Sequence, residues 1–298
     1  VLALVNRALS GPININADHS DSMGARDSGW IQIYAESNQE VYDNFIQAFP
    51  IAEDKRVHLP VMVCQDGFIT SHGVENILLV EDDKVKQFIG EYEPEHYLLN
   101  ETERMALGPY AVSNYYMETK RAQRQAMCNA REVILEVAAR FEELTGRIWR
   151  FFEEYQMEDA EYAVVIIGSA AGTCKAAVEE IRATTGKKVG LIKIRVFRPF
   201  PEEEIAKALA KVKSVAVMDR SEMFAATSGP LGAEVRAAMY QAHGTAEVVN
   251  YFYGLGGRDI TVSDFKKVYD NLETIAKTHV VTGMYTYIGL RSAQPEEV

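Results

Sequence analysis

The first seventy residues alternate between short apolar runs and longer amphipathic stretches. Residues 1–5 and 59–64 are apolar and rich in β-branched side chains, which predicts two strands of a parallel sheet, the first of them central. Residues 31–35 predict a third, short strand. From Asn38 onwards apolar residues recur at helical spacing, and Pro50 is expected to end or kink this helix. Strands and helices that alternate in this way indicate an α/β layer structure.

The second half of the chain carries the same pattern with clearer punctuation. Residues 77–116 predict a surface connection with one short helix. Residues 115–144 contain no Gly or Pro, which predicts a helix about 45 Å long. We expect this helix to end at Gly146 and to link two domains. Beyond it, four strands alternate with four helices, so a mostly parallel, doubly wound domain is predicted. The predicted strands are 162–167, 189–197, 215–218 and 248–253, and the predicted helices are 173–184, 202–212, 230–242 and 261–277.

Charge and cysteine content narrow the class of protein. The formal net charge is −12, which argues against a nucleic-acid-binding face and against an anionic membrane surface. No apolar run approaches the ~20 residues of a membrane helix and no signal peptide is recognisable, so a cytoplasmic protein is expected. Cys64, Cys128 and Cys174 are far apart and form no Cys-x-x-Cys pair. Each is expected to be a small buried hydrophobe rather than part of a disulfide, zinc site or iron–sulfur cluster.

The densest candidate chemistry lies in the polar loop between residues 16 and 27. Asp18, His19 and Asp21 follow one another closely there, and such a group can orient a substrate or move a proton. The alternative is a loop whose short polar side chains satisfy its own backbone. The residues alone favour neither interpretation. Metal binding is not predicted, because the spacing and terminal glutamate of an EF-hand are absent.

Arg7 directly follows the first predicted strand. Ligands of open α/β sheets gather at the carboxyl ends of strands, so Arg7 is a candidate clamp for a substrate carboxylate. The alternative is a structural ion pair with Asp18 or Asp21. Local chemistry alone slightly favours the ion pair.

Two glycine-rich turns lie where a phosphate would bind. Residues 168–173 follow a strand and open a helix, and residues 254–259 resemble them. Neither matches the Walker A or the dinucleotide-binding spacing, so ordinary turns are favoured. Arg195 and Arg198 flank Phe197 and are expected at a solvated strand end. No motif of a self-contained catalytic centre is present.

Eight blocks of sequence closely resemble the α subunit of pyruvate:ferredoxin oxidoreductase, a member of the 2-oxoacid:ferredoxin oxidoreductase family. The Asp-His-Ser-Asp and Arg-Asp-Ser-Gly-Trp blocks are the most specific, and the resemblance runs over essentially the whole chain. The blocks are Val5–Ala8, Pro12–Asp21, Arg26–Gln32, Asn38–Glu40, Leu59–Phe68, Ser71–His72, Ile194–Pro201 and Tyr253–Asp259.

The resemblance implies an α/β fold built from a partial, pyrimidine-type thiamine-diphosphate-binding domain and a parallel α/β domain like the transketolase carboxyl-terminal domain. We place the first at residues 1–114, a linking helix and connector at 115–160, and the second at 161–298. By the same resemblance, Arg7 is catalytic and binds the 2-oxoacid carboxylate, while Asp18, His19 and Asp21 lie beside the active site.

One motif of the family is missing from this sequence. The family's α subunit begins with a segment that carries Tyr-Pro-Ile-Thr-Pro and a glutamate that activates the thiamine aminopyrimidine. Neither occurs here. The amino-terminal part of the first domain is therefore expected to be absent, and no cofactor-binding residue is assigned.

The family also implies an activity that needs other subunits. That activity is the reversible, coenzyme A-dependent oxidative decarboxylation of pyruvate, with electrons passed to ferredoxin. Thiamine diphosphate and Mg would be shared with a β-type subunit, and iron–sulfur clusters would lie in other subunits. The expected partners are β-, γ- and δ-type subunits, with ferredoxin as the electron acceptor. A branched-chain 2-oxoacid such as 2-oxoisovalerate is the alternative substrate. A non-catalytic scaffold fragment is the alternative of another class.

Overall fold

The computed structural model describes residues 1–108, 110–225 and 227–291, and these form two β-sheets flanked by helices. The strands are β1 (Leu2–Asn6), β2 (Ile31–Tyr34), β3 (Val61–Asp66), β4 (Phe152–Tyr155), β5 (Tyr162–Ile167), β6 (Val189–Ile194), β7 (Val196–Arg198), β8 (Ser214–Asp219), β9 (Glu247–Phe252) and β10 (Tyr285–Tyr287). The helices are α1 (Ser20–Gly24), α2 (Asn38–Glu53), α3 (Asp82–Ile89), α4 (Ser113–Thr145), α5 (Ala170–Thr185), α6 (Glu202–Ala208), α7 (Pro230–Gln241) and α8 (Val262–Thr278).

The first sheet has the strand order β1-β3-β2-β7, with β1, β3 and β2 parallel and β7 antiparallel to β2. Strand β1 is an edge strand and most of it is exposed, so the prediction of a central, buried strand is wrong. An apolar run indicates a strand, but it does not show how many neighbours that strand pairs with. Strands β2 and β3 are nearly fully buried against α2 and α4, as their apolar sequences predict.

The second sheet has the order β10-β9-β8-β5-β6-β4 and is parallel except for β4, which runs antiparallel to β6. The predicted doubly wound α/β domain is confirmed. The predicted strand 189–197 is divided, however: β6 belongs to the second sheet, while β7 pairs with β2 in the first. One stretch of chain therefore joins both sheets.

Most helix boundaries follow the local sequence, although α6 ends at Ala208 and not at the predicted residue 212. Helix α4 ends at Gly146, which adopts the left-handed conformation, and α8 begins with a capping box between Thr261 and Asp264. Helix α2 does not end at Pro50 but continues to Glu53. Ile51, fully buried in the core beneath α4, favours this extra turn. The helix thus keeps its apolar contacts, although proline cannot donate a backbone hydrogen bond.

The three cysteines have different surroundings. Cys64 in β3 and Cys174 in α5 are buried, as predicted. Cys128 in α4 is exposed, so that part of the prediction is wrong. All three are free thiols.

Candidate functional site

The carboxyl ends of the parallel strands in the two sheets contact one another. Asp66, the last residue of β3, reaches Ser169 just beyond β5 and Arg220 just beyond β8. Past the end of β2, Glu36 pairs with Lys175 of α5. Ligands of open α/β sheets bind at such edges. At the ends of β2 and β3, however, this position is occupied by residues from the second half of the chain.

Asp66 is the centre of this contact. Its carboxylate pairs with His19 Nε2 at 2.6 Å and Arg220 Nη1 at 3.1 Å. The Ser169 backbone N–H also donates to it, at 2.9 Å, and the Ser169 hydroxyl at 2.5 Å. The backbone N–H of His19 donates to the carbonyl of Arg220, so the two chain segments are joined twice. These residues come from both halves of the chain, and Asp66, His19 and Arg220 are almost completely buried.

The surroundings of Asp66 stabilise its charged form. Burial alone raises the pKa of a carboxyl group, but the charge and hydrogen bond of His19, the charge of Arg220 and the bond from Ser169 outweigh it. The pKa of Asp66 is consequently held below its ordinary value. Gly168 permits this approach: its φ is +81°, and a Cβ there would lie 2.9 Å from Asp66 Oδ2. The first glycine-rich turn is thus filled by a protein carboxylate.

The second glycine-rich turn holds the loop that was predicted to carry chemistry. Asp18 is buried and accepts hydrogen bonds from Gly256 N at 3.0 Å and from Ser20 N at 2.8 Å. Asn14 Nδ2 donates to the Gly256 carbonyl at 3.0 Å. At Gly257 a Cβ would come within 2.4 Å of Asn16 Cβ. The turn therefore packs closely against the loop. It is an ordinary turn, as the sequence favoured.

A second charged cluster lies past the end of β2, where the two sheets also contact each other. The carboxylates of Glu36, Glu40 and Glu153 lie within 4.8 Å of one another, but two ammonium groups lie among them. Lys175 contacts Glu36 at 2.8 Å, and the buried Lys193 contacts all three carboxylates. Burial alone lowers the pKa of Lys193, but the three carboxylates outweigh it and raise the pKa. The cluster is an ion-pair network, and it offers no vacant set of cation ligands.

Arg195 and Arg198 differ from the expectation of a solvated strand end. Arg195 is buried and donates to Asn44 Oδ1 at 2.7 Å and Gln47 Oε1 at 3.1 Å, both on α2. Burial lowers its pKa to about 10. Arg198 is partly buried and pairs with Glu234 at 2.6 Å. Both arginines lie at the ends of β7. Because β7 pairs with β2 in the first sheet, their side chains pack against neighbouring residues and are mostly shielded from solvent.

Asp219 is a second buried carboxylate at a strand end. It accepts hydrogen bonds from Leu231 N at 2.8 Å and Gly232 N at 2.9 Å at the start of α7, and from Asn250 Nδ2 at 2.8 Å. Burial raises its pKa to about 6, because these neutral donors offset only part of the desolvation. Asp219 thus caps a helix.

Arg7 lies where the edge is open. It follows β1, is exposed, and its guanidinium forms no hydrogen bond or ion pair with any residue that the structure describes. Its backbone N–H donates to Asp21 Oδ2 at 3.0 Å, so Asp21 contacts Arg7 through the main chain. The ion pair of Arg7 with Asp18 or Asp21, which local chemistry slightly favoured, is not formed.

The four predicted site residues thus have different positions. Arg7 and Asp21 are joined at the exposed end of β1, whereas His19 is buried against Asp66 and Asp18 is buried against the turn at Gly256. Their catalytic roles stay predictions. Asp66 and Arg220 were missed, because in the sequence Asp66 resembles a turn residue that closes a strand and Arg220 belongs to no motif.

A long segment of the first half exposes apolar side chains. Residues 91–103, which we call the acidic arm, contain five glutamates and no lysine or arginine. The large apolar side chains exposed between residues 91 and 117 are Tyr92, Tyr97, Leu98, Leu99, Leu107, Tyr110, Val112, Tyr115, Tyr116 and Met117. An apolar surface of this extent is typical of an interaction site. Among the described residues, no helix is both long and apolar enough to cross a bilayer.

Two family models match the chain. Residues 1–139 match the thiamine-diphosphate-binding domain of pyruvate flavodoxin/ferredoxin oxidoreductases, and residues 160–265 match core domain II of pyruvate:ferredoxin oxidoreductase. The predicted fold class is confirmed. The finer boundaries at 114 and 160 stay predictions.

Curated relatives agree with these matches. The pyruvate synthase subunit PorA of Thermotoga maritima is 46% identical over 98% of this chain and 73% of its own length. That of Pyrococcus furiosus is 40% identical, with the same coverage. The α subunit of the NADH-dependent phenylglyoxylate dehydrogenase of Aromatoleum evansii is 38% identical over 92% of this chain and 68% of its own length.

A solved structure shares the fold. It is a 2-oxoglutarate:ferredoxin oxidoreductase from Magnetococcus marinus with 2-oxoglutarate, coenzyme A and succinyl-CoA bound, and it matches with a TM-score of 0.60 at 15% identity. The match covers 91% of this chain, which spans about half, 48%, of that longer chain. The chain belongs to the 2-oxoacid:ferredoxin oxidoreductase family. Within that family it is similar to subunits named pyruvate synthase subunit PorA, in agreement with the sequence blocks.

Proposed function

We propose that this chain is the substrate-orienting α subunit of a pyruvate:ferredoxin oxidoreductase. The complex would catalyse the reversible, coenzyme A-dependent oxidative decarboxylation of pyruvate and pass the electrons to ferredoxin. The observation that carries the proposal is the exposed guanidinium of Arg7 at the carboxyl end of β1. A guanidinium fork matches the planar carboxylate of a 2-oxoacid with two parallel hydrogen bonds. Relatives named pyruvate synthase favour pyruvate over 2-oxoisovalerate.

The two glycine-rich turns do not fit the diphosphate of thiamine diphosphate. Asp66 fills the turn at Gly168, and Asp18 fills the turn at Gly256, so each already holds a carboxylate where a phosphate would have to bind. The match to a thiamine-diphosphate-binding domain is therefore best explained by a cofactor held mainly by another chain. We assign its diphosphate and Mg to a β-type subunit, and the iron–sulfur clusters to other subunits.

The acidic arm supports the need for partner subunits. Its five glutamates stand beside exposed side chains such as Leu98 and Leu99, which are 67% and 84% exposed. A subunit with an apolar face and a basic rim is complementary to this surface. We propose that a β-type subunit covers it, with γ- and δ-type subunits completing the complex. The cytoplasmic location expected from the sequence stays a prediction.

The proposal is tested with the complete complex, purified after co-expression of this chain with its β-, γ- and δ-type subunits. Initial rates are measured with pyruvate, 2-oxoisovalerate and 2-oxoglutarate, in the presence of coenzyme A and oxidised ferredoxin. We expect the highest kcat/KM for pyruvate. A higher value for 2-oxoisovalerate would replace pyruvate with a branched-chain substrate. A fully assembled complex that turns over none of the three would favour a scaffold.

A further inference from the structure

The backbone just beyond β1 is held by three consecutive hydrogen bonds. The N–H groups of Arg7–Leu9 all donate to the polar loop that precedes or begins α1. The first donates to Asp21 Oδ2 at 3.0 Å, the second to the Asn16 carbonyl at 3.3 Å and the third to Ser20 Oγ at 3.0 Å. The main chain of Arg7 is therefore fixed on one side, while its side chain remains exposed.

Asp21 is itself anchored in the core of the first sheet. Its Oδ1 atom accepts from Asn6 Nδ2 at 2.8 Å and from Ser22 N at 2.6 Å. Asn6 is completely buried and also donates to Ser22 Oγ at 2.8 Å, which receives a further hydrogen bond from Tyr34 at 2.7 Å. Both carboxylate oxygens of Asp21 are thus engaged by N–H groups, and this network joins the backbone of Arg7 to the middle of the sheet.

We propose that Asp21 is a positioning residue that acts through Arg7. It fixes the backbone from which the guanidinium extends, so that the fork is aimed before the substrate arrives and less rotational freedom is lost on binding. This inference rests on the proposed function, because it gives Arg7 a 2-oxoacid carboxylate to bind. It assigns Asp21 a task different from proton transfer, since each of its oxygens already accepts a backbone or amide N–H.

The test is a double-mutant cycle in the complete complex. Asp21→Asn keeps the shape of the side chain but replaces one acceptor oxygen with an NH₂ group that faces a donor. We expect this variant to raise KM for pyruvate about 5- to 30-fold, with kcat changed by less than about twofold, because the clamp holds the carboxylate in the ground state and the transition state alike. In an Arg7→Ala background the same substitution is expected to change kcat/KM by less than about twofold.

Three further measurements separate this result from general damage. Asp264→Asn makes the same chemical change in the capping box of α8 and is expected to leave KM unchanged. Ser20→Ala removes only the acceptor for Leu9 N–H, and it provides a milder variant if Asp21→Asn fails to assemble. It should raise KM less than Asp21→Asn and again show no effect without Arg7. Wild-type turnover and the effect of Arg7→Ala alone test the proposed function separately.

Two outcomes would overturn the proposal. If the effects of Asp21→Asn and Arg7→Ala multiply, Asp21 acts independently of Arg7. If Asp21→Asn lowers kcat with KM unchanged, Asp21 takes part in the chemical step and does not position the clamp.

Discussion

The strand end at Asp66 and the strand end at Arg7 belong to neighbouring strands of one sheet, but their surroundings differ. Asp66 is buried and engaged by His19, Ser169 and Arg220, whereas the guanidinium of Arg7 is exposed and unpaired among the described residues. The same edge of an α/β sheet thus serves two purposes. Where the opposite half of the chain fills it, it becomes a structural junction, and where a side chain such as that of Arg7 is left exposed by the described residues, it is available for a ligand.

The largest effect is expected from a substitution at Asp66, where the second half of the chain fills the sheet edge. Asp66→Asn removes the negative charge between His19 and Arg220 and leaves the buried guanidinium without its anion. We expect a loss of about 3–5 kcal/mol in the free energy of unfolding, measured by urea denaturation of the chain. Asp27→Asn is the matched control, because the Asp27 side chain is 79% exposed, and it should change stability by less than about 0.5 kcal/mol. A small effect at Asp66 would mean that the junction contributes little to stability.

The next effect concerns the open part of the edge. Arg7→Ala in the complete complex is expected to lower kcat/KM for pyruvate about 30-fold to several thousand-fold, since losing one partner of a desolvated charge pair costs about 2–5 kcal/mol. Assembly and thermal stability should stay unchanged, because the guanidinium forms no hydrogen bond or ion pair with any described residue. Arg7→Lys should restore only part of the activity, because an ammonium cannot form the two parallel bonds.

Normal pyruvate kinetics of the Arg7→Ala complex would rule out the clamp. A fall in melting temperature with unchanged KM would instead show that Arg7 has a structural role, and the contrast with Asp66 would then disappear.

A smaller effect is expected from adding a methyl group at Gly168, where the two sheets pack closely against each other. Gly168 and Gly186 both have positive φ, +81° and +69°, but only at Gly168 would a Cβ approach Asp66 and His19. Gly168→Ala should therefore destabilise the chain by about 1–3 kcal/mol more than Gly186→Ala, the excess being the cost of overpacking. Thermal unfolding of the two variants gives this difference directly. Equal losses would show that the junction yields to an added methyl group.

The smallest effect contrasts two buried carboxylates during a pH titration. The pKa of Asp219 is raised to about 6 from its ordinary 3.8, while that of Asp66 is held below 3.8 by its charged neighbours. Between pH 7 and 5 the folded chain should therefore bind a proton at Asp219 that the unfolded chain does not bind. The stability contributed by this group is present below about pH 4 and is lost as the pH rises through about 6.

Asp66 behaves in the opposite way. Its contribution is present above its ordinary pKa and is lost as the pH falls through the lower, folded value. Carboxyl carbon chemical shifts, assigned with Asp219→Asn and Asp66→Asn variants, would show a titration near pH 6 at Asp219 alone. A midpoint near 3.8 for both groups would mean that the two strand ends do not differ electrostatically.

Much of this architecture is encoded locally, but the junction is not. The 33-residue helix α4, its end at Gly146 and the capping box at Thr261 could be predicted because each depends on residues within a few positions. The pair of His19 and Asp66 joins residues 47 apart, and neither neighbourhood contains a sign of the other. The role of Arg7 as a ligand of the substrate carboxylate was implied only by the resemblance to the family, and it stays a prediction. Local chemistry alone slightly favoured an ion pair that the structure does not form.

Two predictions failed for the same physical reason. An apolar run indicates a strand, but the neighbouring strands with which it pairs depend on tertiary packing. Strand β1 has the sequence of a central strand yet lies at an edge, and residues 189–197 read as one strand although Arg195 marks the point where the chain changes sheets. Burial of Arg195 at that point becomes evident only in the folded structure.

The passage of residues 189–198 from one sheet to the other limits how the chain can be divided. A fragment that stops at Ala160 loses β7, which pairs with β2 in the first sheet, while a fragment that begins at Glu161 carries β7 without its pairing partner. Each half has its own sheet, but the sheet of the first half is complete only with β7, which the second half carries. If related enzymes exchanged their second halves, the incoming β7 would have to pair with β2 of the recipient. We therefore expect the two halves to be inherited together.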